Sequence, residues 1–370
     1  MLKKQNSKSF IKVTKTKDNT PKEEQLKPKK RITKKKLAKM DLYKTLELEC
    51  NTYKEEWSGW RKHLYEHGWA IVPKVVTAEC AEQYRQRFWD WLEGFNTGLK
   101  RNVPSTHKSE NWPGNIHGIF QNYGFGHNQF VWDIRCEPAI INVFKEIYGT
   151  DQLLVSFDGG NMSRPTNIES KPWPHFDQAH DKFGFHCIQG FLNLEQCGDH
   201  DGGLIVYQDS HKQHQPYFEE TGEVSTNDWY KFDVDPNTLK HFKQCKKIKV
   251  NCQPGDVVLW DSRTIHYACP PQKHKSDVNR TVVYVSYQPA YLALPSDIAS
   301  KQNAFYNNRM TSHWAASVRL FPKTPRTYGN EDLVLKFPIS EVNNAVLTDV
   351  GRKLAGLIPY EETIEEDQDE

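Results

Sequence analysis

No stretch of the 370 residues is apolar over anything near the roughly 18 positions a membrane helix needs. The basic N-terminus lacks the apolar core of a secretion signal. Both absences lead to the expectation of a soluble protein without a membrane span. Cys50, Cys80, Cys136, Cys187, Cys197, Cys245, Cys252 and Cys269 contain no C-x-x-C pair, which argues against a zinc ribbon or a thioredoxin-like motif. In so long a chain they read as reduced thiols of an intracellular protein, cytoplasmic or nuclear. No internal repeat is evident, which argues against a solenoid or propeller.

Charge is present in quantity but unevenly placed. Residues 1–40 hold 15 Lys or Arg against 3 acids, while the remaining 330 hold 34 against 44. A segment so basic and so poor in apolar residues repels itself and is expected to be a disordered tail. Its run Lys27-Pro28-Lys29-Lys30-Arg31-Ile32-Thr33-Lys34-Lys35-Lys36 fits a nuclear signal, a nucleic-acid contact or a solubilising extension equally well. The last ten residues hold seven acids. The expected organisation is therefore a tail over 1–40, a catalytic domain over 41–300, a packed extension over 301–360 and an acidic tail over 361–370.

Within the body, helices are expected near 41–65, 77–96 and 137–148. Thr77 is a candidate N-cap for the second, and Tyr84, Phe88, Trp91 and Leu92 recur at helical spacing, as a core-facing stripe does. Residues 97–129 read as a Gly-, Asn- and Pro-rich loop. Short strands follow at 152–158, 187–194, 203–208, 247–252, 256–261 and 280–288. Such strands, punctuated by Gly and Pro turns, predict a mainly β fold with flanking helices around a jelly-roll core.

Four side chains stand out in order: His175 and Asp177 in Trp173-Pro174-His175-Phe176-Asp177-Gln178, then His266, then Arg280. Two imidazoles and a carboxylate hold Fe(II) on one face, leaving adjacent positions for a bidentate 2-oxo acid and dioxygen. The motif alone proves nothing: 15 His among 47 acidic residues give about two His-x-acid triplets by chance. Context carries it. His266 ends Pro254-Gly255-Asp256-Val257-Val258-Leu259-Trp260-Asp261-Ser262-Arg263-Thr264-Ile265-His266, a Gly turn and an apolar run that reads as one strand. Arg280 opens the next strand, where Arg280, Val282, Tyr284, Ser286 and Gln288 share a face, polar groups among apolar ones as in a pocket. Each residue also has a bland reading: a surface or satisfied histidine, a structural ion pair. His211 and His214 at i, i+3 lack a third ligand at a recognisable spacing.

At these residues the chain resembles the phytanoyl-CoA dioxygenase family of Fe(II)/2-oxoglutarate oxygenases. The likeness continues through Ile188-Gln189-Gly190-Phe191-Leu192-Asn193-Leu194 and Asp201-Gly202-Gly203-Leu204-Ile205-Val206-Tyr207-Gln208-Asp209-Ser210-His211-Lys212. In the latter, Asp209 stands where the family has Gly. Upstream, Tyr65-Glu66-His67-Gly68-Trp69-Ala70-Ile71-Val72 is similar to the family's opening segment, so the resemblance spans about residues 60 to 290. It implies a double-stranded β-helix of the cupin kind, His175, Asp177 and His266 as iron ligands, and Arg280 as partner of the far carboxylate of 2-oxoglutarate. Gln189, Asn193, Ser286 and Gln121 are placed near the co-substrate by strand logic. The implied reaction is hydroxylation of a C–H bond of a small molecule, with succinate and carbon dioxide released; related iron halogenases lack the carboxylate that Asp177 supplies. The family name does not select the substrate. Residues 305–321, with Arg309, His313, Trp314 and Arg319, read either as a wall for an anionic substrate or as ordinary packing. Two other readings remain: an oxygenase that captures nucleic acid or a chromatin protein through the basic tail, and a non-catalytic jelly-roll binding protein.

Overall fold

The structure is a computed structural model that describes residues 34–52, 57–166, 171–325, 332, 336–337 and 345–361. Residues 1–33 of the expected basic tail, and 362–370 of the acidic one, lie outside the described residues. Residues 34–40 do not belong to a tail. They form the first turns of α1 (Lys34–Thr52), in which Tyr43 and Leu46 are buried. Lys36 pairs with Asp181, and Lys39 with Asp297 at 2.9 Å. Acids from distant segments offset the self-repulsion that composition alone predicts. The helix expected over 41–65 is thus two, α1 and α2 (Gly59–His67).

Gly68 ends α2 with φ 79°, and a Cβ there would lie 2.5 Å from both His211 Nδ1 and Thr264 Oγ1. Only glycine fits the turn into β1 (Trp69–Val72). Helix α3 (Ala78–Glu93) starts where Thr77 Oγ1 accepts from the Cys80 N–H at 3.1 Å. It buries Tyr84, Phe88, Trp89 and Leu92, whereas Trp91 is only partly buried. Helices α4 (Gln129–Arg135) and α5 (Pro138–Tyr148) follow the short strand β2 (Ile119–Phe120).

The remaining strands are β3 (Leu153–Val155), β4 (Gly160–Ser163), β5 (His175–Phe176), β6 (Ile188–Asn193), β7 (Gly203–Tyr207), β8 (Tyr230–Lys231), β9 (Lys247–Val250), β10 (Val257–Asp261), β11 (His266–Cys269) and β12 (Arg280–Pro289), with α6 (His214–Thr221) between β7 and β8. They pair antiparallel into a large sheet of order β1-β10-β6-β12-β4-β2, with β3 also on β12, and a small sheet of order β8-β5-β11-β7-β9. The chain crosses between sheets from β4 to β5, β5 to β6, β6 to β7, β9 to β10, β10 to β11 and β11 to β12. That alternation is a double-stranded β-helix: two facing sheets, not a closed barrel. All six expected strands are present. The strand expected over 256–261 is β10, and His266 opens a further strand, β11, which lies in the other sheet beyond a turn.

Three apolar clusters follow from strand alternation. Phe191, Val258, Trp260 and Val282 of the large sheet meet Leu204, Val206 and Val250 of the small one between the sheets. Leu192, Leu259, Val283 and Val285 face the helices on the other side of the large sheet. Phe176, Tyr207 and Tyr267 face Tyr217 and Phe218 of α6 behind the small sheet. The boundary expected at 300/301 falls within α7 (Pro295–Tyr306), and the chain beyond it buries Trp314, Ala315 and Ala316 in the helical layer. Helix α8 (Asp349–Leu354) buries Leu354 in the same layer.

Candidate metal centre

Alternation on two short strands builds the site. Phe176 is fully buried behind the small sheet, so its neighbours His175 and Asp177 turn toward the space between the sheets. Ile265 and Tyr267 are buried in that same outer cluster, which turns His266 inward as well. The β5–β11 ladder then sets His266 directly opposite His175, 91 positions away in sequence. The Asp177 N–H donates to the Ser262 carbonyl at 3.0 Å, and Ser262 Oγ to Gln178 Oε1 at 2.7 Å, tying the motif to the β10–β11 turn.

One ligand-type atom from each of His175, Asp177 and His266 lies within 4.8 Å of the other two. Nε2 of His175 is 3.6 Å from Asp177 Oδ1, and Nε2 of His266 is 3.4 Å from Oδ2. Each Nδ1 faces a backbone carbonyl, Trp173 O at 3.1 Å and Thr264 O at 2.9 Å. A neutral imidazole that donates there keeps the Nε2 lone pair for a metal. Burial pulls the His266 pKa down, and His175 adds to the effect. Burial pushes the Asp177 carboxyl up, but the adjacent histidines outweigh it and hold the group well below the usual carboxylate range. The set offers a metal two imidazole nitrogens and one carboxylate.

The other expected residues divide. Gln189 is brought in, its Nε2 donating to Asp177 Oδ2 at 3.1 Å. Arg280 is 3% exposed, and its Nε and Nη1 have no hydrogen-bond partner among the described residues. Its guanidinium lies 5.3 Å from the Phe191 ring centre, Phe191 is 5.8 Å from Trp260, and Trp260 is 5.2 Å from His266. Arg280 therefore occupies the same inter-sheet interior as the triad. Burial raises the Tyr284 pKa against the pull of its Arg280 hydrogen bond. Asn193 donates to the carbonyls of Glu195 and Gln253, at the opposite end of β6 from Gln189. Ser286 Oγ donates to the Ile188 carbonyl at 3.1 Å. Gln121 borders a separate small cavity beside Arg309. None of these three is hydrogen-bonded to the triad among the described residues.

Two further groups interact electrostatically with Asp177. His313 is buried with its Nε2 unpartnered, and burial pushes it down to about 4 against the opposing charge of Asp177. Asp158 is pushed up to about 7 by burial, the Gly159 N–H and Arg135 opposing and Asp177 adding to the rise. His313 stood in the 305–321 segment with two readings open; no spacing relates it, or Asp158, to the triad. Trp173 stacks on His175 at 4.9 Å, and His117 on the far face of Trp173 at 4.7 Å.

An inward-facing triad of two histidines and one carboxylate between the sheets of a double-stranded β-helix defines a cupin-type candidate metalloprotein. Residues 64–281 match the phytanoyl-CoA dioxygenase (PhyH) family, and the chain belongs to it. It is 31% identical over 281 residues to Ava biosynthesis cluster protein O of Aspergillus versicolor, covering 72% of this chain and 90% of that protein. Solved structures similar to it include EvdO2 of Micromonospora carbonacea var. aurantiaca complexed with 2-oxoglutarate (17% identity, TM-score 0.42, 62% of this chain and 90% of that one). Another is the epimerase SnoN in complex with Fe3+, alpha ketoglutarate and nogalamycin RO (16%, 0.42, 66% and 91%). The fold assignment rests on the strand order above and not on these superpositions.

Proposed function

We propose that the chain is an Fe(II)- and 2-oxoglutarate-dependent dioxygenase that hydroxylates a C–H bond of a small molecule. The observation that carries this is the pairing of a three-residue candidate ligand set with a buried arginine that has no carboxylate partner among the described residues. A guanidinium left so far from water costs several kcal/mol unless an anion meets it, and 2-oxoglutarate, held at one end by the metal, would offer its other carboxylate to Arg280. Bound together, iron, 2-oxoglutarate and dioxygen supply the oxidising equivalents, with succinate and carbon dioxide released.

The protein's part follows from its own groups. His175 and His266 offer Nε2 because Nδ1 is engaged by backbone. Gln189 fixes the rotation of the Asp177 carboxylate. The Arg280 fork sets the orientation of the co-substrate as well as supplying charge. Trp173 and Trp260 flank the two histidines and exclude water. Asp177 fills the ligand position with a carboxylate, which favours hydroxylation. Capture of nucleic acid would rest chiefly on residues 1–33, outside the described residues; Lys36 and Lys39 already have acidic partners.

The test is succinate formation by anaerobically purified protein given Fe(II), 2-oxoglutarate and oxygen. His175→Ala and Asp177→Ala are expected to abolish turnover and weaken iron binding. Unchanged succinate in both variants would overturn the assignment.

A further inference from the structure

A cavity of about 1020 Å³ lies apart from the triad, none of whose residues lines it. It lies where the β11–β12 loop faces the end of β4 and the loop before β2, and His117 forms part of its wall. His117 is stacked on Trp173 and Trp173 on His175, so a single indole separates the wall from a proposed iron ligand.

Its charges are not equivalent. Arg85 is paired with Glu82 and Glu195, and Arg101 with Asp90 and Glu93. Arg164 has no carboxylate within salt-bridge distance among the described residues, although it is more than half withdrawn from water and burial lowers its pKa. It is held in place: one terminal nitrogen donates to the His107 carbonyl, the other lies 3.4 Å from Ser109 Oγ, and the guanidinium lies 4.8 Å from the Trp112 ring centre. Glu110 acts on it only at longer range, and a positioned, partly desolvated guanidinium with no carboxylate in contact is a receptor for one. Lys273 stands on the same lining, as do the acids Glu195 and Asp277. Those two acids disfavour a polyphosphate and leave room for one negative head. Trp89, Trp112 and Met162 give the wall an apolar patch among polar residues such as Asn102, Asn115 and Ser276.

We propose that this cavity binds the carboxylate end of the substrate, and that the substrate class is a bulky aromatic or alicyclic carboxylic acid anchored by Arg164. The proposal rests on the dioxygenase reading, which places the reacting carbon on the far side of Trp173.

The probe is 2-naphthoate, with 2-naphthamide as its neutral isostere, titrated calorimetrically into full-length protein saturated with 2-oxoglutarate. Naphthoate is expected to bind at least about tenfold more tightly than the amide, the worth of one charge-assisted pair, and to weaken as salt rises. Arg164→Gln should remove that preference, and Lys273→Ala, at an exposed position, should reduce it by a few-fold. Equal affinity for acid and amide, or an acid preference untouched in both variants, would overturn the proposal. The Fe(II)/2-oxoglutarate charge-transfer absorption of the same samples reports separately on the metal reading, so the two fail independently.

Discussion

At the scale of single residues, the site depends on what each donor atom is kept from doing. His175 and His266 each have one nitrogen engaged by the backbone and the other turned toward Asp177, and Gln189 holds one oxygen of Asp177. Replacing Gln189 by Leu removes a hydrogen bond but no ligand. Iron affinity should fall by about tenfold, as for loss of an outer partner of a metal ligand, measured by competition with a chelator. Arg280→Lys keeps charge but loses the planar fork. The 2-oxoglutarate Kd should rise about tenfold or more with iron affinity little changed; an unaltered Kd in an anaerobic titration would make another residue the anchor. The site was legible at this scale because His, Asp and Arg advertise their chemistry in sequence. Asn193 and Ser286 show where that stops, since a polar residue on an inward strand face serves a neighbouring carbonyl as readily as a ligand. Asp209, where the family has Gly, keeps φ at 69°, and its carboxylate is taken up by Lys212 at 2.9 Å and His67 at 3.2 Å.

At the scale of elements, the corner between β10 and β11 matters most. Periodicity gave the strand over 256–261 but not the break that sends His266 into the other sheet. The break comes from a local ion pair. Arg263 donates to both oxygens of Asp261, at 3.0 and 2.7 Å, while the Thr264 N–H closes the turn on the Asp261 carbonyl at 2.8 Å. Burial opposes ionisation of Asp261, and Arg263 outweighs it. Asp261→Ala would leave Arg263 unpaired in a largely buried place, a loss of about 3 kcal/mol or more, and would loosen the turn that aims His266. Urea unfolding and iron affinity should both report it. Replacing both Asp261 and Arg263 by Leu should recover part of the stability but not the iron affinity. A recovery of both would mean that the ion pair does not shape the corner.

At the scale of the whole molecule, besides His313, four described histidines outside the triad are buried with their pKa pushed down. His127 and His186 are pushed down to about 3, and His211 and His214 to about 4, in each case by burial. Their folded pKa lies below the unfolded value of 6.5, so the unfolded chain takes up protons first as pH falls. Stability is full above pH 6.5 and is lost from there down to about 4 and then 3, at up to about 1.4 kcal/mol per pH unit for each histidine. Asp158, raised to about 7, acts with the opposite sign but is one group against four. Urea midpoints of iron-free protein should therefore drop steeply between pH 7 and pH 5; a flat profile would show that these histidines are hydrated in solution.

The sequence by itself singled out the candidate ligands, six of the strands and the β class of the fold, though not the short β5 and β11 that carry the histidines, because side-chain chemistry and period-two alternation are local properties. The tertiary structure decided what depends on distant partners. It set His266 opposite His175, left Arg280 without a carboxylate partner among the described residues, docked residues 34–40 as helix, and brought His313 and Asp158 within electrostatic reach of Asp177. Those outcomes are fixed by which sheets face each other and which charges they bury, and no spacing along the chain encodes them.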